Sequence, residues 1–231
     1  MKHLSITRSY FAAHSSRSRI RLPSLASLVL TDFGTRVPLL EDTPLLVSAT
    51  VRVTQRWYDE CPNNTIGGCA DPTCPAGYIS DEDVDDAPGE SVLFKGLSDV
   101  QNLEISVHSK VFIVIRDLKL GVTFHKLKTM LLSEWCPGIA ADLNLLTYFL
   151  RYSPVLDKLT VQLSKVPKKQ VETERSHAQL QRSFTCSHLK IVEIKCEEDD
   201  ERLQELLDML AAYDIPLEKV NIQQTDGASE P

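Results

Sequence analysis

Apolar residues recur along this chain in one spacing, apolar-x-x-apolar-x-apolar. The copies are Met1-Leu4-Ile6, Leu25-Leu28-Leu30, Leu46-Ala49-Val51, Val100-Leu103-Ile105, Leu127-Met130-Leu132, Leu156-Leu159-Val161, Leu189-Val192-Ile194 and Leu217-Val220-Ile222. The last two apolar positions of each copy are two residues apart, so they point to one side of a short strand. The first apolar residue precedes the strand and turns the chain into it. Eight strands follow, each with a return segment to the next. Two returns read as helices. In the first, from Ile139 to Leu150, Leu143, Leu146, Phe149 and Leu150 share a face, and Ser153-Pro154 closes it. In the second, from Glu197 to Tyr213, Leu203, Leu206, Leu207 and Leu210 do the same. Glu197 to Glu201 load its start with negative charge, which suits the helix dipole, and Pro216 stops it.

Successive copies start 24, 21, 54, 27, 29, 33 and 28 residues apart. Apart from the 54, these intervals lie within or slightly above the roughly 20–29 residues of a leucine-rich repeat. Such units bury their apolar side only by stacking, which makes a parallel sheet with one continuous core. The expected fold is therefore α/β: an irregular leucine-rich-repeat solenoid, a curved parallel sheet with helical or irregular returns. The position where many such repeats carry a buried Asn holds Phe33, Thr54, His108, Trp135, Ser164, Glu197 and Thr225. The missing Asn ladder is why irregularity is expected. The organisation reads as repeats over 1–55, an acidic Cys/Pro/Gly-rich insertion over 56–95, repeats over 96–180, a C-terminal pair over 181–225 and a disordered tail over 226–231.

Alternation along the strands also predicts the outward, concave face, a common binding surface of repeat arrays. Its first rows are Ser27, Val29 and Thr31, Ser48, Thr50 and Arg52, and Asn102, Glu104 and Ser106. The partner-binding candidates are Thr129, Leu131 and Ser133, Lys158, Thr160 and Gln162, Ile191, Glu193 and Lys195, and Lys219 and Asn221, beside Gln223.

Composition narrows the function classes. With 42% hydrophobic and 25% charged residues, the chain has the balance of a folded domain. Its formal net charge of −7 argues against general nucleic-acid binding, which needs a basic face. No apolar run reaches membrane-spanning length, so no membrane partner is expected. The charge is uneven: residues 1–31 contain no acid, whereas residues 81–90 contain six. The basic, Ser-rich start has the composition of a transit peptide, but the repeat register includes Met1, so it is read as part of the fold. A cytoplasmic or nuclear location is expected.

Chemistry would have to reside in the insertion. Cys61, Cys69 and Cys74 stand there at C-x7-C-x4-C, and only the second pair has a zinc-like spacing. Free thiols are the expected state, with zinc or a disulfide as the alternative. Asp81, Glu82, Asp83, Asp85 and Asp86 do not follow a calcium-loop pattern and read as a solvated run. The sequon at Asn63 matters only in the secretory pathway. The mixed-charge segment 165–182 reads as an inter-repeat loop. No histidine pairs tightly, and no G-x-S-x-G, phosphate-binding glycine loop or H-E-x-x-H occurs. No catalytic residue, metal ligand or cofactor is assigned, and the chain is read as a binding scaffold, not an enzyme.

Two runs carry a family resemblance. FTCSHLKIVEIKCEEDDERLQELLDMLAAYDIPLEKVNIQ, Phe184 to Gln223, resembles the C-terminal FBD region of plant F-box proteins with leucine-rich repeats. LKTMLLSEWCPGIAADLNLLTYFLRYSPVLDKLTVQL, Leu127 to Leu163, resembles the segment before it, and LPSLASLVLTDF and TPLLVSATVRV resemble upstream repeats. The resemblance implies the substrate-recognition part of a cullin-based ubiquitin ligase, whose repeats capture a target protein. In that family an F-box docks on a Skp-type adaptor. Here the register reaches Met1, so no F-box and no direct adaptor recruitment are expected. Two alternatives stand beside this reading: a metal-binding protein or enzyme using the Cys/Asp-rich loop, and a truncated product without independent function.

Overall fold

A computed structural model describes residues 1–7, 18–31, 37–53, 91–107, 114, 117–118, 120–136, 140–165, 186, 188–197 and 200–225. Each of the eight copies of the apolar pattern supplies one strand. These are β1 (His3–Thr7), β3 (Ser27–Thr31), β5 (Ser48–Val53), β6 (Asn102–Val107), β7 (Thr129–Trp135), β8 (Lys158–Leu163), β9 (Ile191–Glu197) and β10 (Val220–Thr225). They form one sheet in chain order, and every neighbouring pair is parallel. The protein is thus a mixed α/β fold on an open parallel sheet. β2 (Arg19–Arg21) and β4 (Leu39–Glu41) pair separately in a two-stranded parallel sheet. The alternation pattern did not predict that pair.

Register explains the cohesion. Leu4, Leu28, Ala49, Leu103, Met130, Leu159, Val192 and Val220 align across the sheet as one row. Ile6, Leu30, Val51, Ile105, Leu132, Val161, Ile194 and Ile222 form a second row. In the six inner copies no member of the pattern is more than 4% exposed. Each fully buried aliphatic side chain contributes about 1.5–3 kcal/mol.

The turns into the strands repeat as well. The amide of each inner leading residue donates to the carbonyl three positions back, as in Leu25 to Leu22 and Leu156 to Ser153, at 3.0–3.5 Å. The carbonyls of Lys2, Ala26, Val47, Gln101, Lys128 and Asp157 each accept two consecutive amides from the next copy, at 2.8–3.1 Å. The last junction departs from this rule. Leu217–Lys219 form a 3-10 turn, the Lys219 amide donates to the Pro216 carbonyl, and Leu217 is left 57% exposed.

Among the described residues, α1 (Phe94–Leu97), α2 (Ala140–Tyr152) and α3 (Arg202–Ala212) occupy returns, and Val114, Asp117, Leu118 and Leu120 are helical as well. α2 contains the expected Leu146, Phe149 and Leu150 among its buried residues, together with Leu145 and Tyr148. Phe94, Phe124, Tyr148 and Phe149 pack with ring centroids 5.1–5.8 Å apart. α3 is rotated from its expected face. Leu206, Met209 and Leu210 are buried, whereas Leu203 and Leu207 are half-buried at the margin. The acids before it belong partly to β9, which extends to Glu197, so the helix starts only at Arg202.

The 54-residue interval does not break the sheet, because β5 pairs directly with β6 in continuous register. Cys61, Cys69, Cys74, Asn63, the acidic run at 81–86, most of the 165–182 loop and the 226–231 tail lie outside the described residues. Cys136, Cys186 and Cys196 are buried.

Candidate protein-binding face

The sheet buries one side of every inner strand and turns the other outward. Because the strands are parallel and in register, outward residues also align in rows. The middle row runs Ser5, Val29, Thr50, Glu104, Leu131, Thr160, Glu193 and Asn221. Beside it, nearer the strand starts, run Asn102, Thr129, Lys158 and Ile191. Eight strands thus bring together residues spread over more than 200 positions of sequence.

Two carboxylates organise this surface in the same manner. Glu104 accepts from Arg52 Nη2 at 2.8 Å and from Thr50 Oγ1 at 3.4 Å, both on the adjacent strand. Glu193 accepts from Lys158 Nζ at 2.6 Å and from Thr160 Oγ1 at 3.3 Å, again from the adjacent strand. The hydrogen-bonded Lys158 ammonium holds the Glu193 carboxyl below the usual carboxylate range, with smaller contributions from Thr160 and Lys195. Glu104 and Glu193 are three strand spacings apart, about 14 Å, with Leu131 and Thr160 between them. Thr129 donates to Asn102 Oδ1 at 2.6 Å. Arg52, Lys158 and Lys195 share this face with Glu104, Glu193 and Glu197, so it carries charges of both signs.

The expected residues are brought together unequally. Thr129, Leu131, Lys158, Gln162, Glu193 and Lys195 are half-buried on this face, and Ile191 and Asn221 are exposed. Thr160 is only 7% exposed and is committed to Glu193. Ser133 is also only 7% exposed, because the register of β7 against β8 shifts between Leu132 and Trp135 and Glu134 takes a left-handed backbone with φ 54°. That bulge removes Ser133 from the outward row, which corrects its expected presentation. Lys219 lies in the 3-10 turn, and its ammonium donates to the Leu189 carbonyl at 2.6 Å. It ties the last copy to the one before it. Arg52, Asn102 and Glu104 are as central to the polar rows as the candidates from β7 to β10, and the same alternation locates them.

Other chemistry is sparse. Among the described residues no group of three or more His, Cys, Asp or Glu side chains is placed to hold a metal ion. An open cleft of about 420 Å³ lies between β4 and α1, lined by Glu41, Asp42, Lys95 and Asp99 among others. Glu41 there is already held by Arg19 and Arg21. No described helix is long and apolar enough to cross a membrane. Compared with protein-family models, curated proteins and solved structures, the chain matches none of them.

Proposed function

We propose that the chain is an irregular leucine-rich-repeat solenoid that captures a protein target on the outward face of its sheet. The observation that carries this reading is the regularity of the junctions. Six successive copies bury the same three positions, repeat the same turn and leave aligned rows of mixed polar character on the other side. A broad, ordered surface with its charges pre-paired suits a protein partner better than a small molecule, which needs a concave pocket. The resemblance of 127–163 and 184–223 to F-box proteins with FBD regions supports a substrate-receptor lineage. On that reading the chain is not an enzyme, needs no cofactor and works in the cytoplasm or nucleus.

The test is affinity capture from source tissue, comparing wild type with Glu193→Lys/Lys195→Glu and with Glu205→Lys on the exposed side of α3. The expected result is a partner retained by wild type and Glu205→Lys and lost from the double variant. Equal retention by all three would overturn the assignment of the face. Scoring the same eluates for the Skp-type adaptor tests the lineage separately.

A further inference from the structure

We draw no further inference here: the strongest candidate, the open cleft between β4 and α1, carries nothing because its Glu41 and Asp99 are already paired with Arg19, Arg21 and Lys126 and, among the described residues, none of the buried polar side-chain atoms without a partner lines it.

Discussion

The Ser91 hydroxyl donates to the Asp117 carboxylate at 2.9 Å, and both residues are buried. The same carboxylate accepts the amides of Val92, Leu93 and Phe94 at 2.8–3.0 Å. These amides open α1, whose first N–H groups have no partner within the helix. Asp117 therefore holds in place the segment by which the chain rejoins the sheet before β6. Asp117→Asn exchanges one acceptor oxygen for a donor facing donors. A loss of about 2–4 kcal/mol is expected, read as a lower urea midpoint with an unchanged slope.

Gly96 sits in α1 where a Cβ would lie 2.3 Å from Leu40 Cβ and 2.7 Å from the Leu40 carbonyl oxygen. The obstruction includes backbone of β4, so it cannot be relieved by a rotamer change. Gly96→Ala is expected to destabilise by about 1–3 kcal/mol despite its better helix propensity. An unchanged melting temperature would refute this close packing.

Arg202 grips Asp200 through Nε at 2.8 Å and Nη2 at 2.6 Å, and Nη2 also donates to the Ser164 carbonyl at 2.7 Å. The guanidinium thereby ties the start of α3 to the end of β8. Its hydrogen bond keeps the Asp200 carboxyl below the ordinary aspartate range. A depressed carboxylate pKa contributes stability above the unfolded value, and that stability is lost as pH falls through the folded value. Arg202→Ala is expected to cost about 1–3 kcal/mol near neutral pH. The cost should shrink as the medium is acidified below about pH 4. Parallel pH–stability curves for the two proteins would exclude this linkage.

Burial pushes the Cys186 thiol up to about 11. Folding therefore favours its protonated form. The associated stability is intact below the ordinary thiol value and declines as pH rises toward 11. Site-resolved mass spectrometry after brief alkylation near neutral pH should find Cys186 unmodified in the native protein and labelled in denaturant. Rapid native labelling would contradict its burial.

Ile194 and Ile222 occupy the same position in adjacent copies and pair directly across β9 and β10. Ile194 is 0% exposed and Ile222 is 45% exposed. Ile194→Ala is expected to cost about 2–5 kcal/mol, and Ile222→Ala under about 1 kcal/mol. Denaturation measures both, and similar losses would mean that the last copy is buried after all.

That pair also marks the boundary between sequence and structure. The apolar-x-x-apolar-x-apolar spacing by itself determined eight strands, their register and the outward rows. A period of two assigns each residue to a side, and only one stacking direction buries all the copies. The sequence could not rank those copies, since burial depends on the neighbour, and among the described residues Ile194 has a strand on each side where Ile222 has one. Nor could it locate the Ser133 bulge, rotate α3 toward Met209 or bring Ser91 to Asp117. Each depends on groups far apart in the chain meeting in space, so tertiary packing decided them. The Glu104 and Glu193 clusters divide the same way. Alternation put the carboxylates outward, and parallel pairing set Arg52 and Lys158 beside them.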